Sequence, residues 1–359
     1  MKYIIPVIVV LLLSASVSFA ESKIDGKSLN NANVQQSMNM ALGKGATSNT
    51  ASTKMKNSEV GKGGMVSNKA VIQKSMNMAL GEGATANTGS ITMKDSEVGK
   101  GGMVSNKAVI QKSMNMALGK GATANMGSVT MDGSKVQGKV LNNANVKQSM
   151  NMALGKGATA NTGSITMKDS EVGKGGMVLN KAVIQKSMNM ALGKGATSNM
   201  GSVTMDGSKV QGKVLNSANV KQSMNMTLGK GATANTGSVT IKNSEVGKGG
   251  IVSNKAVIQK SMNMALGQGA TANMGSVTMD GSKVQGKVLN NANVKQSMSM
   301  ALGKGATANT GSVTMKNSEV STGGMVLNKA VIQKSMNMAL GQGATANVGS
   351  VTMDGSKVQ

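Results

Sequence analysis

The sequence predicts an all-β protein, a single-chain β-solenoid. Three observations predict it: an asparagine that returns in fixed register, glycine-bearing corners that keep the same phase, and short period-two alternations between the corners.

The asparagine heads the pattern N-x-[A/G]-x-[V/I]. It stands at Asn30, Asn49, Asn68, Asn87, Asn106, Asn125, Asn142, Asn161, Asn180, Asn199, Asn216, Asn235, Asn254, Asn273, Asn290, Asn309, Asn328 and Asn347. Only Asn49, in N-T-A-S-T, lacks the final apolar residue. Each step is 19 residues, apart from three of 17. This register predicts about 18 rungs of 19, occasionally 17, residues. At ~4.8 Å per rung they would make a rod on the order of 85 Å long. The asparagines are expected to face inward as one structural ladder, a known stabiliser of stacked β-architecture; an exposed row that binds sugar is the competing reading.

A longer repeat is laid over the short one. S-M-N-M-A-L-G, with small variations, starts at Ser37, Ser75, Ser113, Ser149, Ser187, Ser223, Ser261, Ser297 and Ser335, at spacings of 38 or 36. These nine units divide the chain into a short lead-in at 21–29 and a repeat solenoid at 30–359. The two missing residues of the shorter units are assigned to their D-G turn. Corners such as Gly81-Glu82-Gly83 and Gly119-Lys120-Gly121 follow each asparagine, and glycine there relieves the steric cost of positive φ. Between corners, Met76-Asn77-Met78-Ala79-Leu80 and Ser90-Ile91-Thr92-Met93 alternate as strands do, and they are too short for stable helices.

Residues 1–20 differ from the rest. Lys2, the apolar run Ile4 to Leu13 and Ser18-Phe19-Ala20 have the layout of a secretory signal peptide cut after Ala20. The apolar run is shorter than the ~20 residues a membrane span requires. The expected destination is extracellular or the bacterial cell surface, with the periplasm as the other compartment such a signal serves.

Composition excludes much chemistry. The chain has no Cys, His, Trp or Arg, and its only Tyr, Phe and Pro are Tyr3, Phe19 and Pro6. Disulfides, thiolate metal sites, a histidine general base and aromatic stacking of bases are all unavailable to residues 21–359. The carboxylates Asp95, Asp132, Asp169, Asp206, Asp280 and Asp354, with Glu59, Glu97 and Glu171, recur with the unit as turn residues. A catalytic pair would be singular, so no enzyme and no cofactor are expected.

Strand alternation puts Asn68, Ala70 and Ile72 on one face, and likewise Asn87, Gly89, Ile91 and Met93; both faces are expected inward. Met76, Met78 and Leu80 share a face and are expected to fill a narrow core. The alternative for the 34 methionines is thioether binding of Cu(I) or Ag(I) in the periplasm. Lysines at Lys44, Lys62, Lys100, Lys120, Lys139, Lys156, Lys174 and Lys194 are assigned to the glycine corners. With a formal charge of +25, they predict salt-sensitive attachment to polyanions: anionic polysaccharide such as lipopolysaccharide or acidic capsule, or extracellular DNA. The solvated edge that keeps a rod soluble is the plainer reading. Thr85, Thr123 and Thr159 form a column that would suit an ice-binding solenoid, a further alternative.

Residues 149–165, S-M-N-M-A-L-G-K-G-A-T-A-N-T-G-S-I, resemble the head repeats of trimeric autotransporter adhesins, which carry S-V-A-L-G-x-G-A-x-A. The resemblance covers about half of each unit. It implies a haemagglutinin-like bacterial surface protein whose β-roll binds host matrix or clumps cells. Residues 142–148, N-N-A-N-V-K-Q, are similar to the N-x-A-x-V-x-Q element of curli-type fibre subunits, which implies an extracellular biofilm fibre. Self-association is expected head to tail, because Gly26-Lys27-Ser28-Leu29 reads as the continuation of the terminal V-T-M-D-G-S-K-V-Q.

Overall fold

The computed structural model describes residues 16–20, 23–24 and 27–358; most of the expected signal peptide lies outside them. One complete turn of the chain runs through five strands: Met65–Gln73, Met76–Leu80, Thr85–Thr88, Ile91–Lys94 and Glu97–Val98. The next turn opens at Met103, which pairs with Met65 in parallel. Every strand meets its equivalent 36 or 38 residues along the chain, so five parallel sheets run the length of a β-solenoid. They are called sheets I to V here, in the order just given.

The turn is therefore 38 or 36 residues long, not 19, and there are about nine turns rather than 18. At ~4.8 Å per turn the rod is about 43 Å long, half the length the 19-residue register implies. Each turn passes two asparagines of that register, Asn68 in sheet I and Asn87 in sheet III. The two residues lost in short turns do not come from the D-G turn either. Lys94 pairs with Asp132 and Val98 with Val136 without a gap. Four residues then separate Val98 from Met103, but only Gln137 and Gly138 separate Val136 from Lys139.

Pairing also begins before Asn30. Val17–Ala20 pairs with Thr53–Lys56 in sheet IV, Lys23–Ile24 with Glu59–Val60 in sheet V, and Lys27–Gln35 is the first strand of sheet I.

The interior has two parts. Between sheets I, IV and V the side chains of Val66, Ile91, Met93 and Val98, and their equivalents in other turns, form a continuous apolar cluster. Ala70 and Ile72 of sheet I form a second cluster with Met126 of sheet III. Between sheets II and III the core narrows, and its apolar side chains are Ala79, Ala84 and Ala86. That narrow part reverses the expected polarity of M-N-M-A-L. Asn77 and Ala79 point in and are buried, whereas Met76, Met78 and Leu80 point out and are half-buried. These methionines are not core filler; Met55, Met93 and Met131 are.

A second correction concerns Asn87. Ala86 faces the alanine cluster and Thr88 Oγ1 donates to the inward Asn115. Asn87 between them must point the other way, so it does not share an inward face with Ile91 and Met93. It is nevertheless buried, in the re-entrant corner where Gly89, at φ +58°, bends sheet III into sheet IV. A Cβ at Gly89 would sit 3.2 Å from Ala108 Cβ, so the corner also needs glycine for space.

Candidate functional site

Three asparagine ladders run along the rod. In sheet I, Asn68 Nδ2 donates to Asn106 Oδ1 at 2.9 Å and Asn106 to Asn142 at 2.9 Å, always toward the next turn. In sheet III the direction reverses: Asn125 Nδ2 donates back to Asn87 Oδ1, and Asn161 to Asn125, both at 2.9 Å. The 18 asparagines of the sequence register thus divide into two ladders, one inward and one in the outer corner. The third ladder, Asn77 to Asn115 to Asn151, lies inside the narrow core and was not singled out from sequence. Its signal was present as the central N of every S-M-N-M-A-L-G except that beginning at Ser297.

The lysines assigned to one row separate into three groups. Lys44, Lys120, Lys156 and Lys194 stand at the exposed corner between sheets II and III. Lys62, Lys100 and Lys174 stand at the four-residue corner that leaves sheet V. Lys139 is at neither; it opens a sheet I strand and pairs with Met103 and Met177.

Charge is segregated around the coil. On sheet IV Lys94 pairs with Asp132 and Asp132 with Lys168; on sheet V Glu97 pairs with Lys135 and Lys135 with Glu171. Alternating long and short turns thereby set opposite charges one rung apart, which favours the stack. Among the described residues, every carboxylate except Glu82 belongs to sheets IV and V or the bend between them. Glu82 reaches Lys120 at 3.7 Å, with both side chains more than half exposed, so this pair contributes little. The side formed by sheets I, II and III therefore carries lysine nearly uncompensated.

Where sheet I bends into sheet II, an open groove of about 1420 Å³ follows the axis, lined by Lys74, Ser75, Met76 and their equivalents. Its corner residue has positive φ in every turn: Lys74 and Lys112 at +49°, Gln148 at +50°. The bend after sheet IV also has positive φ, but uses Asn57, Asp95 and Gly133, the residue types that tolerate that conformation. Lys and Gln at the groove are not explained by backbone preference. The preceding residue compensates: Gln73-Lys74 and Gln111-Lys112 give way to Lys147-Gln148, so these turns each present one lysine.

Among the described residues, no three His, Cys, Asp or Glu side chains come together as a metal site, and no helix is long and apolar enough to cross a membrane. Thr85, Thr123 and Thr159 stack as a half-exposed column on sheet III. No known family matches the chain, nor does any curated protein. Among solved structures, a crystal structure of a TibC-catalysed hyper-glycosylated fragment of TibA is similar at 12% identity. It covers 88% of this chain and 99% of that one, with a TM-score of 0.14. The β-solenoid assignment rests on the strand pairing itself.

Proposed function

We propose that the protein is a secreted, non-enzymatic structural repeat protein of the adhesive or biofilm-fibre kind, which assembles head to tail and attaches to polyanions through its lysine rows. One observation supports the assembly: each turn offers the next five parallel strands in register with its own, so a second copy can add to a sheet edge as one turn adds to another. A second copy stacked in register would bury the edges of a terminal turn as an internal turn does. The polyanion reading is supported by the uncompensated lysines on sheets I to III.

The junction differs from a simple continuation of Gln359 into Gly26, two residues outside those described. Val17–Ala20 and Lys23–Ile24 occupy the N-terminal edges of sheets IV and V, where Val351–Asp354 and Lys357–Val358 of a stacked copy would pair. Removal of residues 1–20 would open sheet IV, leaving Lys23–Ile24 to be displaced. Electron microscopy of residues 21–359 at raised salt is the test. Fibres are expected, and Val348→Asp, which puts a charge where stacking would bury an apolar side chain, should leave single particles. Single particles from the unmodified protein would reject the assembly.

A further inference from the structure

The outer face of sheet II is unlike any other surface of the molecule. Each turn contributes two methionines and a leucine, Met76, Met78 and Leu80 in the turn already described, and these columns align without interruption along nine strands. Four residue steps of ~3.3 Å and eight strand steps of ~4.8 Å give an apolar stripe of about 500 Å². A patch of that size is often a contact surface.

Both long borders of the stripe are rich in lysine, with Gln268 and Gln342 in its place in two turns of one and Gln35-Gln36 in the first turn of the other. One is the sheet I–II corner, with Lys74, Lys112 and Lys147; the other is the sheet II–III corner, with Lys120, Lys156 and Lys194. Glu82 is the single described carboxylate on either border. We infer that this face is an interfacial membrane-binding surface that lies flat on an anionic phospholipid bilayer. Met and Leu side chains would enter the boundary between headgroups and acyl chains, while the flanking lysine stems reach up to the phosphates.

Complementarity selects this occupant. A second copy apposed face to face would bring lysine borders against lysine borders, so self-pairing is opposed by charge. A soluble acidic polysaccharide would account for the lysines but leave the methionine and leucine columns in water. A nucleic acid would find no aromatic platform. A bilayer of anionic lipid answers both the apolar stripe and its borders. The Lys and Gln residues held at positive φ on one border fit the same role, since the smaller residues that tolerate that backbone could not reach a headgroup.

Flotation with vesicles tests the inference without interference from fibres, which do not float. The protein is expected to float with phosphatidylglycerol-containing vesicles and not with pure phosphatidylcholine. Met152→Ser with Met190→Ser and Met226→Ser should weaken binding at least fivefold. Lys120→Gln with Lys156→Gln and Lys194→Gln, all at exposed corners that the fold does not need, should weaken it about tenfold. The same charge loss at Lys135, Lys209 and Lys283 on sheet V should leave it unchanged. Equal loss from both lysine sets with no effect of the serine variants would show a general polycation and overturn the proposal. So would failure to float. Dimers that the serine variants abolish, in the absence of vesicles, would show that a second copy covers the face instead.

Discussion

Replacing Asn151 by leucine is expected to cost about 3–5 kcal/mol, because it leaves several buried polar groups without partners at once. Asn151 Nδ2 donates to Ala124 O at 3.1 Å, Asn161 O at 2.9 Å and Asn189 Oδ1 at 2.9 Å, while its Oδ1 accepts from Asn115 at 2.9 Å. The site is fully buried against alanines, so no water can take over. Met152→Leu, on the outer face one residue away, should change stability by less than ~0.5 kcal/mol. The chain contains its own partial version of the experiment. Ser299 stands where the ladder has asparagine elsewhere and makes only a 3.5 Å bond to Ala272 O. Urea unfolding of the three proteins, with hydrogen exchange to locate the loss, measures the effect; equal midpoints for Asn151→Leu and Met152→Leu would contradict it.

Gly119→Ala should be similarly damaging, at about 3 kcal/mol, through strain rather than lost bonds. Gly119 has φ +137°, and a Cβ there would lie 1.9 Å from the carbonyl oxygen of Gly81 in the turn below. Backbone has to move, and the hydrogen bond from Gly119 N to Leu154 O moves with it. Two residues on, Gly121 has φ +69° with nothing within 4 Å of the added Cβ, so Gly121→Ala should cost only about 1–2 kcal/mol. The contrast separates crowding between turns from left-handed backbone alone. Thermal unfolding of both variants reads it, and equal shifts would show that crowding is not the cause.

The fold class was legible because a solenoid stacks like on like, and stacking imposes register on the sequence. The turn size was misjudged for a physical reason. Both halves of a turn use N-x-[A/G]-x-[V/I], one to place Asn68 in the interior and the other to place Asn87 in an outer corner, so the half-turn imitates a whole one. The resolving signal was identity rather than similarity. M-N-M-A-L returns at 36 or 38 residues and never at 19, since only residues one full turn apart touch as equals. Hydrophobicity misplaced Met76 and Met78 because the narrow core between sheets II and III is filled by small side chains, chiefly alanine, and a hydrogen-bonded asparagine. The lysine border of sheet II could not be read from spacing, because Lys74 and Lys147 occupy different positions in their units.

Nine turns stacking end to end fix one length, and the axial rise per subunit in fibres of residues 21–359 measures it most directly. Layer-line analysis is expected to give a rise of about 43 Å per subunit over a strand spacing of ~4.8 Å along the fibre axis. A rise near 85 Å would restore the 19-residue turn, and strands running along the fibre axis would show that the subunits do not stack through their ends.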